Sequence, residues 1–419
     1  MISSILLLTG ALVAWLASKY INGLRRNIAL AKSTGLPYHV VPINPINNIS
    51  QLFRFIWLPL WKLLVPKKYW EDIITVCEWN WQFRKQFAPF AKMGDNILIA
   101  SPTSLMLHTA NAELIHQVTS RREDFPKPTE FYKILAMFGR NIVTTEGATW
   151  RMHRKVTSAS FNEKNSALVF KASIDQAQGM TDFWVRTQKD GSFHTVEHDT
   201  MLLALNIISY VGFGLRLVWP GQPLPAEVDS KMAKYASFEP PKGHTLTFSE
   251  SIGGILKHLL PLLITPKIVL NNAPVRVLKE AKEARENYDL YMEEFLREKV
   301  QDVRRGDKDI GMDIMGSLVA TSYQDNQERK AGIQLDDSEI VGNAFIMFLA
   351  GHETTANVMH FSMLELANNP AAQRRLQQDI DAILGRDTDP ATWNFEEKVN
   401  AMQASMLGAV MNETRKPSL

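Results

Sequence analysis

One cysteine, Cys77, is all that 419 residues provide. A single thiol excludes an intramolecular disulfide framework and any CxxC-type metal or redox motif, and it fits a reducing compartment. A surplus of either charge is missing as well. The 46 basic and 44 acidic side chains leave a formal net charge of +2, with no long basic run. The electrostatic footprint of a nucleic-acid binder is therefore absent, and no nucleic-acid partner is expected. Internal repeats and low-complexity tracts are lacking too. What remains is ordinary for a folded protein: 45% hydrophobic and 21% charged residues, on a chain long enough to bury a large core.

The longest uncharged stretch is Met1 to Ser18, which is mostly apolar and is followed by Lys19, Arg25, Arg26 and Lys32. It meets the lower length limit for a membrane-spanning helix. The positive-inside rule then keeps its basic flank, and the body behind it, in the cytosol. A cleaved secretory signal is the rival reading, but a signal carries its basic stretch before the apolar core. The expected organisation is a transmembrane anchor over 1–24, a proline-rich hinge over 25–48 and a single body over 49–419. Pro37, Pro42 and Pro45 mark the hinge. The tryptophan-bearing run Leu52 to Leu64 suits either the headgroup zone or a buried helix. Ile255 to Leu270, interrupted by Pro261 and Pro266, reads as a second membrane-touching patch or as core.

Asn96 to Ala100 is a strand-like run entered through the turn signal Gly94-Asp95, and Ala112 to Ser120 reads as a helix. Few other segments look like strands, so the fold class is mainly α with a small β-sheet. Val277 to Val303 and Met312 to Ser322 have helical periodicity. An Asp or Ser cap within Leu335-Asp336-Asp337-Ser338, with Glu339 behind it, opens a long helix that runs to about Asn368 and stops before Pro370. Its length is about 45 Å. Its middle, Ala344 to Ala350, is wholly apolar, which predicts burial all round.

Inside that helix lies a polar break, Ala350-Gly351-His352-Glu353-Thr354-Thr355-Ala356. His352-Glu353 begins a zinc-peptidase HExxH motif, but the fifth position is Ala356, and this excludes it. A kink is one remaining reading, because threonine hydroxyls bond back to the preceding turn. The other is a buried groove for chemistry. Asn343, Ile346, Met347, Ala350 and Thr354 recur at helical spacing and would share one face. Far upstream, Trp150-Arg151-Met152-His153-Arg154 places Trp150 and Arg154 one turn apart.

These two segments resemble the cytochrome P450 family, whose distal helix carries Ala/Gly-Gly-x-Asp/Glu-Thr-Thr/Ser and whose earlier helix carries WxxxR. Leu366 to Pro370, Gln373 to Gly385 and Val410 to Thr414 follow the family as well. The resemblance implies a P450-like fold and a haem-thiolate monooxygenase that inserts one oxygen atom of O2 into an apolar small-molecule substrate. It implies haem b as cofactor and an NADPH-dependent reductase as electron donor. Glu353 and Thr354 would serve proton delivery. Trp150, Arg154, Ala350, Gly351 and Thr355 would contact the haem, with His153 and Lys155 joining the basic cluster. Asn343, Ile346 and Met347 would line the substrate cavity. The expected setting is the endoplasmic reticulum membrane, crossed once.

The sequence departs from the family near its end. Where the family has Glu-x-x-Arg, Glu413 is followed by Thr414, Arg415 and Lys416, and lysine is a poor substitute at a bidentate site. No haem-cysteine loop follows, so the metal ligand is missing, and Cys77 lacks the nearby Gly and Arg of such a loop. The expectation is a P450-like fold without its C-terminal haem-binding part, catalytically inactive as written. A non-catalytic membrane-associated binding protein, or an unstable truncated product, is the alternative.

Overall fold

Packing breaks between Phe125 and Pro126, giving one unit over Met1–Phe125 and another over Pro126–Ser418. The computed structural model describes residues 2–47, 50–51, 53–78, 80–192, 194–222, 235–272, 274–306, 313–323 and 334–414, residues 2–6 by backbone alone.

The first unit runs α1 (Ile2–Ser33), β1 (Tyr38–Val40), α2 (Arg54–Leu64), β2 (Asn96–Ala100), β3 (Leu105–Thr109) and α3 (Ala112–Ser120). The strands form one sheet in the order β1-β2-β3. β1 pairs parallel to β2 with Tyr38 opposite Leu98, and β2 pairs antiparallel to β3 with Ala100 opposite Leu105. Ile97, Leu98, Ile99 and Ala100 are all buried, as a central strand covered on both faces requires. The stretch 25–48 is not the hinge its prolines suggest. Helix α1 continues to Ser33, and β1 is sewn into the sheet. The α1 backbone passes so close to the turn after β2 that a Cβ at Gly23 would lie 2.1 Å from the Pro102 carbonyl oxygen. Beside it the Asn27 amide donates to the Ser101 carbonyl at 2.7 Å.

Among the described residues, no helix is long and apolar enough to cross a membrane. Residue 1 and the side chains of 2–6, which open the expected anchor, lie outside the description. From Leu7 onward α1 exposes Leu7, Leu8, Leu12, Trp15 and Leu16. Helix α2 divides its faces: Trp57 and Trp61 are buried, whereas Phe55, Leu63 and Leu64 are exposed. The buried-helix reading of that run thus holds for one face, while the other face is apolar and exposed; Leu52 lies outside the described residues.

The second unit is helical, with a single isolated β-bridge between Lys189 and Ser192 among its described residues. Its helices are α4 (Gly147–Ser158), α5 (Glu163–Thr187), α6 (Val196–Phe213), α7 (Phe248–Lys257), α8 (Leu259–Ile264), α9 (Lys267–Asn272), α10 (Arg276–Arg305), α11 (Ile314–Tyr323), α12 (Asp337–Asn368), α13 (Pro370–Leu384), α14 (Phe395–Gln403) and α15 (Met406–Thr414). Helix α12 starts where its cap predicts. The Asp336 carboxylate accepts from the Glu339 N–H at 2.8 Å, and the Glu339 carboxylate accepts from the Asp336 N–H at 3.2 Å. This reciprocal box satisfies donors that a helix start leaves orphaned. Asn369 caps the far end, and Pro370 opens α13, where its missing N–H costs nothing.

The core of this unit forms where α12 meets α6, α10 and α11. The Phe138 ring lies 4.5 Å from that of Phe345, tilted against it, and 4.7 Å from that of Tyr288, edge-on, all three buried. The Ile255 to Leu270 run is core and surface together: Ile255, Leu262 and Leu270 are buried, while Leu260, Ile264 and Ile268 are exposed. The expectation that the apolar middle of α12 is buried all round holds for Ala344, Phe345, Ile346 and Phe348. Met347 and Leu349 are half-buried and Ala350 is exposed.

Candidate active site

Glycine and paired threonines are poor helix formers, yet α12 passes through its polar break as α-helix. The packing of the turns before it supplies the stability that propensity withholds. The Thr354 hydroxyl donates to the Ala350 carbonyl at 2.6 Å, the back-bond expected of a helical threonine. Ala350, Glu353, Thr354 and Thr355 all face outward, exposed. The opposite side is closed by His352 and Ala356, both buried.

His352 tethers this break to α6. Its Nε2–H donates to the Met201 carbonyl at 3.1 Å, its ring stacks on Phe348, and Nδ1 has no partner. Burial lowers its pKa below the usual histidine value, and this outweighs the opposing pull of the Met201 carbonyl and the Glu353 charge. Gly351 does not face the open side either. A Cβ there would lie 3.1 Å from Ile208 Cδ1 on α6, so this glycine allows two helices to approach, and Ala350 is the small residue on the open face.

The three residues of the stripe Asn343, Ile346 and Met347 meet different surroundings. Asn343 is fully buried, and its amide is committed to structure. Its Nδ2 donates to the Glu339 carbonyl at 2.7 Å and to His153 Nδ1 at 2.8 Å, and its Oδ1 accepts from the Ile142 N–H at 2.9 Å. Ile346 is buried. Met347 borders a narrow apolar recess with Ile208, Phe213, Ala344 and Phe348, without room for a water molecule.

Trp150 and Arg154 are brought together as their spacing predicts. Helix α4 begins at Glu146, whose carboxylate accepts from the Gly147 N–H at 3.1 Å. The half-buried Trp150 indole has two cations within cation–π range, Arg154 Cζ 6.0 Å and Lys127 Nζ 5.7 Å from its ring centroid. Lys127 also donates from Nζ to the Ile142 carbonyl at 2.9 Å. Sequence reasoning missed Lys127, which lies in an irregular segment with no periodicity to flag it. Arg154 and Lys155 are both exposed. His153 does not join them. It is fully buried and turned toward Glu339 and Asn343, because a helical residue next to Arg154 lies about 100° around the axis.

Glu413 and Thr414 end α15, where Thr414 Oγ1 is 3.0 Å from Ser362 Oγ on α12. Arg415 and Lys416 lie outside the described residues. Cys77 belongs to the first unit, where it is fully buried beside Val76 and Ile73, and burial pushes its thiol pKa up to about 12. Among the described residues, no group of three or more His, Cys, Asp or Glu is placed to hold a metal ion.

Comparison with known proteins fits this arrangement. The family model for cytochrome P450 matches residues 76–414. Cytochrome P450 monooxygenase ORF6 of Penicillium roqueforti is 27% identical over 365 residues, 85% of this chain and 60% of its own length. Cytochrome P450 monooxygenase 124 of Postia placenta is 31% identical over 290 residues, 69% of this chain and 52% of its own length. The chain thus spans about 60% or less of the length of these two curated relatives. A crystal structure of a cytochrome P450 aligns at a TM-score of 0.55 and 16% identity, over 79% of this chain and 68% of that one. That likeness speaks for the fold. With a matched model across most of its residues, the chain belongs to the cytochrome P450 family.

Proposed function

We propose that this chain supplies the distal half of a haem-thiolate monooxygenase, acting with a reductase to insert one oxygen atom of O2 into an apolar substrate. The observation that carries the reading is the open face of α12 at Ala350, Glu353 and Thr354, on a helix otherwise packed into the core.

Residues of α12 and of α4 fit a haem. Ala350 is small and exposed, so a flat ring can approach the helix there, and the exposed Arg154 beside Trp150 suits a carboxylate through charge-assisted hydrogen bonds. Dioxygen activation is the chemistry that a bound haem supplies. The chain's own part is proton handling. With its proton committed to the Ala350 carbonyl, Thr354 Oγ1 keeps its lone pairs for an incoming donor, a water or a protonated group. Glu353, one residue away and exposed, exchanges protons with solvent and can relay them to that donor as a positioned acid. Cys77 does not fit as the axial ligand, because its thiol is buried and held protonated far above neutral pH.

Membrane association belongs to the same proposal, with the body on the cytosolic side of the endoplasmic reticulum. It is supported by the uncharged start of the sequence and by the exposed leucines of α1.

Titration of the purified 419-residue chain with haemin tests the reading. Saturable binding is expected, lost in Ala350→Phe, where a ring fills the open face, and weakened in Arg154→Ala. The reduced-CO band of thiolate haem is not expected, since Cys77 is the one cysteine of these 419 residues. Binding that ignores both substitutions would sink the proposal.

A further inference from the structure

Between α4 and the first turns of α12 lies a closed polar bridge that the proposed proton handling does not use. His153 has no exposed surface, and its partners Asn343 and Glu339 are almost as deeply buried. Asn343 cannot turn its amide over. Its Oδ1 is fixed by the Ile142 N–H at 2.9 Å, and its Nδ2 by the Glu339 carbonyl at 2.7 Å. The remaining Nδ2 hydrogen therefore points at His153 Nδ1, 2.8 Å away, so that nitrogen is an acceptor. The ring proton then sits on Nε2, facing Glu339 Oε1 at 3.3 Å. That carboxylate also takes the Arg140 guanidinium at 2.8 Å and the Asp336 N–H at 3.2 Å. A single tautomer satisfies every group in the bridge.

We propose that His153 is a positioning residue, which fixes the rotation of α4 and so holds Trp150 and Arg154 in register with the open face of α12. On a helix with 3.6 residues per turn, Trp150 and Arg154 lie about 60° and 100° around the axis from His153. Pinning His153 inward therefore fixes both of them on the same flank of α4, Trp150 half-buried and Arg154 exposed. Glu339 and Asn343 stand on α12 itself, two to four turns before Ala350 and Thr354, so the pin ties one half of the site to the helix that carries the other. An apolar residue at 153 would fill the space but would leave the Asn343 amide and the Glu339 carboxylate short of a partner, and α4 free to roll. The proposal rests on the reading of Trp150 and Arg154 as the edge that receives a porphyrin's carboxylates.

The test compares binding of metal-free protoporphyrin IX with that of its dimethyl ester, by fluorescence, to the full 419-residue chain. Neither probe depends on an axial ligand. The parent chain is expected to favour the diacid by about tenfold or more, the worth of one charge-assisted hydrogen bond, and Arg154→Ala to erase that preference. His153→Ala should erase it too, at unchanged ester affinity. His153→Asn, which keeps an acceptor for Asn343, should restore part of it. If His153→Ala only lowers the melting temperature while the diacid preference persists, the residue is structural filler and the proposal falls by itself. If parent and Arg154→Ala bind both porphyrins alike, the carboxylate-edge reading falls and takes the proposal with it. Should His153→Ala fail to fold, His153→Asn and His153→Gln each keep one of the two bonds. A loss of preference in either supports the pin, and full preference in both overturns it.

Discussion

The two halves of α12 differ both in composition and in surroundings. From Ile340 to Phe348 nearly every side chain is buried, and Phe345 interlocks with Phe138 and Tyr288. From Ala350 onward the same helix opens one side: Glu353, Thr354 and Thr355 are exposed, and one or two turns later so are Phe361 and Leu364, at 55% and 46%. The polar break accounts for part of this, but the apolar Phe361 and Leu364 are exposed as well. The difference is partnership: among the described residues the first half is covered by its neighbours, and the second is open on one side. A rigid, fully packed half holding an open half is how a protein keeps reactive groups still while leaving them reachable.

The sharpest way to break the contrast is to remove matching aromatic rings from the two halves. Phe345→Ala should destabilise the second unit by about 3–5 kcal/mol in denaturant unfolding, the usual cost of a deleted core phenylalanine. A cost below about 1 kcal/mol would mean that the buried half is loosely packed. Gly342→Ala comes next. A Cβ there would meet the Gly139 and Arg140 carbonyl oxygens at 2.6 and 2.7 Å, which are backbone atoms that cannot swing away. A loss of about 1–3 kcal/mol is expected despite alanine's better helix propensity.

A smaller effect comes from pH, through His352 at the junction of the halves. Burial lowers its pKa from the ordinary 6.5, so below pH 6.5 the unfolded chain binds a proton that the folded chain resists. Stability should therefore fall as pH drops from 6.5 toward the folded value, and should be independent of this group above it. His352→Gln should flatten that slope in melting curves recorded across the window. An unchanged slope would exclude His352 as its source. The smallest effect belongs to Phe361→Ala, within about 0.5 kcal/mol of the parent as at other exposed sites. A larger loss would show that the open half is covered in solution.

Much of this was legible beforehand, and the reason is local chemistry. The Asp336 and Glu339 pair announced the start of α12, Gly94-Asp95 announced β2, and the Trp150–Arg154 spacing put both on one face of α4. What was illegible depended on distant partners. Nothing near Gly351 says that Ile208 waits opposite it, and nothing near His153 says that its neighbours are Glu339 and Asn343 rather than Arg154 and Lys155. Helical periodicity names a face but not what it meets. The prolines of 25–48 misled for the same reason: proline density marks a break in helix, whereas β1 pairs with a strand some sixty residues later.

The bridge from His153 to Asn343 spans 190 residues of sequence, and the one from Ile142 to Asn343 spans 201. At about 5–20 residues per second of synthesis, the segment carrying His153 leaves the ribosome roughly 10 to 40 seconds before its partner exists. For that interval α4 carries a histidine meant for a dry interior with nothing to close over it. The nascent chain must hold it unpaired, or shielded by a chaperone, until the last long helix arrives. Synonymous codons that slow or hasten translation between these two points should therefore change the yield of folded protein without changing a single residue of it.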